Sequence, residues 1–391
     1  MRILFVIAID RSQNGPSVHL LADMIEAVKR RGHSVVTVEK RFSITEDRVE
    51  QIDERETHYL LACREPEKRS YAKRYLADLR YVRQCKVAVR KEKFDVAFLQ
   101  SCTHAGFQMA WLKHVPTLFN VQDIFPLDAY YEGILSKKSP VYRVFAALQA
   151  YGYRKAAKVV TISEDMKATL RELGVPEQKL AVVHNWQYQT EPNGDDRETV
   201  CKAFYQNGKF NVVYAGNIGM AQSVETLVRA AAYLRQDPQI AVTIIGGGAK
   251  RKACEAIAEE LKLDNLRFAD MLPQRYSRYL YENGDVNIVT LTKGISRTSL
   301  PSKTAACYSA GRPVIYCVEQ DCRTVQTMMR ANPLIYRCDP DDPQALAKTI
   351  LKIKAEAPKA QNVPNYRDVL MPQSPEDYAM LLEQCARRDV P

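Results

Sequence analysis

Twelve short apolar runs recur along the chain with helical stretches between them, and this alternation limits the fold more than any other feature. In the first half they are RILFVIAI, HSVVTVE, FDVAFLQ, PTLFNVQ, KVVTIS and KLAVVHN. In the second half they are FNVVYAGN, AVTIIGGG, LRFADML, VNIVTL, RPVIYCV and PLIYRC. Runs of roughly four to seven β-branched and apolar residues are what a parallel strand covered on both faces requires. Strand and helix in alternation make an α/β sheet with right-handed crossovers. A chain of 391 residues can bury two such cores. The expectation is two Rossmann-like domains of about six strands each, over 1–190 and 208–370. The polar stretch from Gln187 to Asn207, containing EPNGDDRE, reads as their connection, with the linker at 191–207. The tail, 371–391, holds SPEDYAMLLEQCARR, which reads as a capped final helix after the second sheet has ended.

Open α/β sheets bind ligands beyond the carboxyl ends of their strands, so the residues that follow each run are the candidates. After the first strand, DRSQNGPSVHLL offers Asn14 and Gly15, whose backbone can meet a phosphate or simply turn. A dinucleotide fingerprint needs G-x-G-x-x-G here and is absent, which argues against a nicotinamide or flavin enzyme. VVYAGNIGMAQSVETL places Gly216, Asn217 and Gly219 between a strand and a helix, where glycine lets the backbone approach a ligand. VTIIGGGAKRKACEAI repeats the device with Gly246, Gly247 and Gly248, and sets Lys250 beside them. SLPSKTAACYSAGRPVIY supplies a third element. Pro301 precedes Ser302, a good N-cap, and Lys303 falls in the first turn, where a positive charge opposes the helix dipole. An anion at that helix end would account for the misplaced charge. Gly311 and Pro313 end the helix. Two glycine loops and one helix start in the same half converge on a polyanion, and a diphosphate fits without a metal. In the first half, TLFNVQDIFPLDA puts Gln122 and Asp123 at a strand end, and LQSCTHAGF puts His104 at another. A carboxylate there can orient an acceptor hydroxyl or cap a helix. A lone histidine there is as readily structural as catalytic.

Composition removes several classes. Apolar residues are 46% and charged residues 26%, as in a soluble globular chain. The ten cysteines are scattered with no C-x-x-C pair, which excludes the usual zinc spacing and reads as reduced thiols in a cytoplasmic protein. The remaining histidines make no metal or triad spacing. MRILFVIAID turns polar too soon for a secretory leader, and no run approaches the roughly 18 apolar residues a membrane span needs. The net charge of +10 is uneven: from Arg64 to Lys93, eleven Lys and Arg face four Asp and Glu, or 11 − 4 = +7. Such a surface suits a phosphate-rich partner.

The motifs YAGNIGMAQSVETL, TIIGGGAKR, FADMLPQ, GDVNIVTL, SLPSKTAACYSAGRPVI and VTISEDMKATLRELGVPEQKLAVVHNW, with VQDIFPLDA in the first half, are arranged as in a known family. The chain resembles retaining glycosyltransferases of the GT-B fold, the family-four or group 1 enzymes, and most closely their bacterial cell-surface polysaccharide branch with its fucosaminyltransferase-like members. The likeness covers nearly the whole chain and is weakest over residues 40–95. It implies two Rossmann-like domains whose parallel sheets face a central cleft, and a last helix that crosses back to the first domain. It implies a nucleotide-sugar donor, commonly a UDP-sugar, held mainly by the second domain at Gly216, Asn217, Gly219, Gly246, Gly247, Lys250, Leu272, Pro301, Ser302 and Lys303. The acceptor, a glycan that in this branch is commonly polyprenyl-diphosphate-linked, falls to the first domain, where Asp123, Gln122 and His104, with Lys303 from the second, would be the catalytic set. Neither a metal nor a cofactor is implied. The chain departs from the pattern in places. Two glutamates eight positions apart in relatives match Ser296 and Thr304, the Arg and Lys of the first glycine loop match Asn217 and Gln222, and the histidine of an HD pair matches Gln122.

Two basic segments, YAKRYLADLRYVRQCKVAV and LSKKSPVYRVFAALQAYGYRKAAK, are amphipathic. In the first, Tyr71, Tyr75, Leu79, Val82 and Val89 share one stripe opposite Lys73, Arg80, Gln84 and Lys91. In the second, Ser139 and Pro140 read as cap and first helical residue. Such helices can lie on the anionic inner face of a membrane or simply cover a sheet. Rival readings are a nucleotide-sugar epimerase of the same architecture and a catalytically degenerate scaffold subunit. A nucleic-acid partner is not expected, since no such motif accompanies the basic segment.

Overall fold

All twelve apolar runs form parallel strands in the computed structural model, which describes residues 1–13, 17–64, 71–187, 194–271, 273, 276–357 and 363–387. The chain divides into two compact units, one of Met1–Leu127, Leu135–Asn185 and Pro372–Pro391, the other of Asp128–Ile134 and Trp186–Met371.

The first unit opens with β1 (Arg2–Ile7), α1 (Val18–Arg30), β2 (Ser34–Arg41), β3 (Arg48–Asp53), β4 (Glu56–Ala62), α2 (Tyr71–Ala88) and β5 (Val96–Gln100). It continues through α3 (Ala105–Trp111), β6 (Thr117–Val121), α4 (Leu127–Tyr131), α5 (Pro140–Lys155), β7 (Lys158–Thr161), α6 (Glu164–Glu172) and β8 (Leu180–Val182). Its sheet runs β3-β4-β2-β1-β5-β6-β7-β8. Central strands such as β1 and β5 are buried on both faces, with Phe5 stacked on Phe98 at 4.8 Å, which is why they read as continuous apolar runs. The expected six strands become eight because of the β3–β4 hairpin. β3, RVEQID, is exposed at every position and pairs antiparallel with β4 at the sheet edge. A strand with no buried face carries no hydrophobic alternation, so nothing in its pattern announces it.

The second unit contains α7 (Gly194–Phe204), β9 (Phe210–Ala215), α8 (Glu225–Leu234), β10 (Ile240–Ile245), α9 (Arg251–Glu260), β11 (Leu266–Ala269) and α10 (Ser277–Glu282). After these come β12 (Val286–Thr290), α11 (Thr304–Ser309), β13 (Val314–Cys317), α12 (Arg323–Ala331), β14 (Ile335–Cys338), α13 (Pro343–Glu356) and α14 (Tyr366–Val369). The sheet order is β11-β10-β9-β12-β13-β14, the doubly wound order whose direction of winding reverses between β9 and β12. The stretch expected as linker is partly structured. Its helix α7 buries Val200 and Phe204 in the second unit's core, and polar composition hid these two anchors. The division falls after Asn185 rather than at 190, and residues 128–134 also belong to the second unit.

The last helix, α15 (Pro375–Arg387), packs on α1, β5 and β6 of the first unit. Ser374 caps it together with Asp377, and it buries Tyr378, Ala379, Leu382 and Cys385. Glu383 accepts two hydrogen bonds from Arg31, at 2.7 and 2.8 Å, and meets His33 at 2.9 Å. The Arg31 guanidinium first, and His33 after it, hold the Glu383 carboxyl down at about 2.

The amphipathic segments are helices. α5 starts as expected, with Ser139 accepting the Tyr142 N–H at 3.1 Å and Pro140 at the first position. The buried stripe differs in part from the expected one. Within α2 it runs through Tyr81 and Cys85, whereas Leu79 and Val82 are half-buried; Val89, just past the helix end, is buried as expected. Arg80 and Lys91 are exposed, but Gln84 is half-buried and donates to the Ala62 carbonyl at 3.3 Å. The side chains of Tyr71, Lys73 and Tyr75 lie outside the described residues. Among the described residues no helix is long and apolar enough to cross a membrane.

Candidate active site

In the second unit, the loops after β9, β10, β12 and β13 gather at the carboxyl edge of the sheet, around the β9/β12 reversal. The two glycine loops are locked to each other. Gly216 donates to Ile245 O at 2.9 Å, Ile218 to Gly247 O at 2.8 Å and Lys250 to Ile218 O at 2.9 Å. Gly216, Gly246 and Gly248 have φ of +148°, +140° and +148°. A Cβ on Gly246 would overlap the Gly216 carbonyl, and one on Gly248 would overlap Ile218 O. These glycines therefore serve loop-to-loop contact first. Gly247 is different: it is exposed, with open space where a Cβ would stand. Asn217 and Gly219 belong to one small network, both donating to Gln222 Oε1 at 3.1 Å.

Lys303 meets this platform from the other side. Its Nζ donates to Ala215 O at 3.1 Å and lies 3.6 Å from the centre of the Tyr214 ring. A Cβ on Gly216 would stand only 3.1 Å from the same Nζ. No carboxylate of the described residues pairs with this ammonium. Burial pushes it down to about 8, and the Cys307 thiol offsets only part of that. Two expectations about this segment need correction. Ser302 is not the N-cap, because Pro301 O accepts the Thr304 N–H at 3.0 Å in a turn that carries the helix start to Lys303. α11 is also only six residues long, so its dipole is a minor contributor and the lysine carries the charge. Pro301 is half-buried and Ser302 exposed in that turn. Lys250 reaches the glycine loop, but its charge is taken by Glu225 at 2.8 Å. Arg251, the next residue, is held by Glu255 at 2.8 Å and by the Gly246 carbonyl at 2.6 Å.

Glu319, just past β13, escaped sequence reading. Its carboxylate accepts the Gly294 N–H and, at 2.7 Å, the Ser296 hydroxyl. Gly294 has φ +91°, and a Cβ there would overlap the Tyr131 ring, which belongs to the 128–134 segment. Thr292 donates to Met220 O at 2.7 Å and Ala221 O at 2.9 Å. The loop that leads to Lys303 is thus fastened to three other segments. Thr304, the other position compared with a glutamate, is fully buried.

In the first unit, His104 and Gln122 follow neighbouring strands β5 and β6. Gln122 is held by its surroundings: its N–H donates to Ser101 Oγ at 3.1 Å, its amide to Asn120 at 3.1 Å, and it accepts from Asn185 at 2.9 Å. Asp123 beside it is exposed. His104 is buried, 3.6 Å from Asp78 and edge-on to Tyr81. Burial alone would lower its imidazole; Cys102 and Asp78 outweigh burial and hold it up at about 9. Asp78 is also bound by Lys40 at 2.8 Å and Thr103 at 3.1 Å. His104 therefore packs beside a half-buried Asp78–Lys40 ion pair. Asn14, Gly15 and Leu272 lie outside the described residues. Among the described residues, no three His, Cys, Asp or Glu side chains are grouped to hold a metal.

Residues 14–186 match the family described as Glycosyl transferase 4-like domain, and residues 209–356 match Glycosyl transferases group 1. The chain belongs to the group 1 glycosyltransferases. It is 28% identical to the glycosyltransferase WbjE of Pseudomonas aeruginosa over 60% of this chain and 58% of that one. It is 26% identical to the colanic acid biosynthesis glycosyl transferase WcaI of Escherichia coli (strain K12), over 54% of this chain and 53% of that one. The chain thus spans little more than half the length of either relative in these matches. Among solved structures, Anabaena HepE in complex with UDP superimposes with a TM-score of 0.62 at 15% identity, over 98% of this chain and 95% of that one. At that identity the likeness shows the GT-B fold. Within this glycosyltransferase, the missing residues of the sequence reading were Tyr214 and Glu319. Glu319 was open to the rule that strand ends carry function. Tyr214 lies inside a buried strand and reads as core.

Proposed function

We propose that this glycosyltransferase moves a sugar from a nucleoside diphosphate donor, with uridine as the base, to a hydroxyl of a glycan acceptor, with retention of configuration. The observation that carries the reading is the Lys303 ammonium at the β9/β12 reversal, held by a carbonyl and an aromatic face but by no carboxylate. A half-buried cation without a counter-charge is a place for an anion. The UDP named in the HepE structure supports the nucleotide. As the bond from the anomeric carbon to oxygen breaks, negative charge grows on the leaving diphosphate, and Lys303 with backbone N–H groups of the glycine loops stabilises it without a resident metal. The acceptor hydroxyl attacks on the face the leaving group vacates, and its proton passes to the departing diphosphate. Asp123, exposed at the end of β6, orients the acceptor.

The setting we propose is bacterial cell-envelope polysaccharide assembly on a polyprenyl-diphosphate acceptor at the inner face of the membrane, in line with the naming of WcaI for colanic acid biosynthesis. The start of α5 supports a membrane contact: Lys137, Lys138 and Arg143 are exposed together with Val141 and Val144.

A thermal-shift screen against UDP, GDP, ADP, CMP and their sugar conjugates, with and without a divalent cation, tests the reading. One diphosphate should raise the melting temperature without the cation, and Lys303→Ala should abolish the shift and lower turnover by about 100-fold or more. No shift with any of them would sink the donor site. Because the bound diphosphate favours charged Lys303, affinity should be constant below about pH 8 and weaken roughly tenfold per unit above it.

A further inference from the structure

We infer that Tyr214 is a positioning residue with two separable duties, its ring holding the Lys303 ammonium and its hydroxyl holding the first glycine loop. The residue is buried near the end of β9, two positions before Gly216. The Lys303 Nζ stands 3.6 Å from the centre of its ring. At the far end of that ring the hydroxyl donates to Asn217 O at 2.6 Å, inside the loop that Gly216 begins. One rigid side chain therefore fixes the spacing between the cation and the backbone that would meet a diphosphate.

The ring also bears on the lysine's charge. The groups around the ammonium are Tyr214 from β9, Cys307 from α11, and Tyr281 from α10, whose hydroxyl donates to the same Ala215 carbonyl at 3.4 Å. None supplies a negative charge near neutral pH: burial pushes the Cys307 thiol up to about 12 and raises both tyrosine hydroxyls well above their ordinary value. With no carboxylate of the described residues paired to it, the electron-rich face of Tyr214 and the Ala215 carbonyl are what keep a half-buried ammonium charged. Removing the hydroxyl should free the loop and leave the lysine's titration alone. Removing the ring should shift that titration.

The duty toward the ligand rests on the diphosphate reading above; the duty toward Lys303 does not. The test therefore has a ligand-free arm. Lysine labelled with carbon-13 at Cε reports the Lys303 midpoint by NMR, with Lys303→Met assigning the signal. Tyr214→Phe should keep the wild-type midpoint while UDP affinity falls several-fold. Tyr214→Met should move the midpoint down by about one pKa unit. Should Tyr214→Met fail to fold, pentafluorophenylalanine at 214 keeps the ring's shape, reverses its electrostatic face and should move the midpoint the same way relative to Tyr214→Phe. An unmoved midpoint in whichever ring variant folds overturns the ring's duty. Unchanged UDP affinity in Tyr214→Phe overturns the hydroxyl's. If wild-type protein binds no nucleoside diphosphate but the ring variants still shift Lys303, the donor reading fails and the coupling of Tyr214 to Lys303 stands.

Discussion

Two buried histidines make opposite statements about pH. His104, held up at about 9, contributes stability that is complete below its ordinary pKa of 6.5 and is lost as pH rises through 9. His184, pushed down to about 4 by burial, carries no penalty above pH 6.5, but stability falls as pH drops from 6.5 towards 4 because the unfolded chain takes up the proton first. Denaturant titrations at a series of pH values should therefore show His184→Asn flattening the acid limb by about 3 kcal/mol and His104→Asn flattening the alkaline limb. Glu319 offers a third test. Glu319→Ala strands the Gly294 N–H and the Ser296 hydroxyl, and should cost about 1–3 kcal/mol in a melt and slow transfer, with Glu319→Gln recovering part of both. At this scale the sequence was legible where a residue's type was out of place. Lys303 stood out because a lysine opposes a helix start. Tyr214 did not, because an aromatic residue in a strand is ordinary and only the fold puts a cation over it.

The elements divide in the same way. The glycine loops were visible as motifs, but their first task was not. Gly246 is excluded from carrying a side chain by the Gly216 carbonyl on a neighbouring strand's loop, a contact between residues thirty positions apart. Gly246→Ala should therefore destabilise by about 1–3 kcal/mol or more, whereas Gly247→Ala, one residue on and facing open space, should melt like wild type. Equal melting temperatures for the two would refute the locked-loop description. Helix α11 was legible in its composition yet mistaken by one residue at its start, since a turn closed by Pro301 O moves the cap from Ser302 to Lys303. Strand β3 was missed outright because a fully exposed strand shows no period, and its partner β4 because it buries only Glu56, Leu60 and Leu61, without alternation.

For the molecule as a whole, the final helix is the boldest testable feature. α15 is last in sequence but part of the first unit, where Tyr378 donates to Asn120 at 2.9 Å and Arg31 clasps Glu383. A chain ending at Met371 would lose the burial of Tyr378, Ala379, Leu382 and Cys385, on the order of 5 kcal/mol. The first unit should then unfold at a lower temperature while the second keeps its own transition. The two tryptophans, Trp111 in the first unit and Trp186 in the second, report the two events separately by fluorescence when each is retained alone. A single unchanged transition would show that α15 is dispensable. The sequence by itself determined the fold class, the twelve parallel strands and the identity of the charged residue at the heart of the proposed site, because buried strands and misplaced charges are written in residue type and spacing. Only the tertiary structure decided which glycines lock the loops together, where the second unit begins, and that Tyr214, Glu319 and the 128–134 segment fasten the loops around Lys303. Those relations join residues far apart in the chain, and local pattern carries no record of contacts that exist only once the sheet has brought its strand ends together.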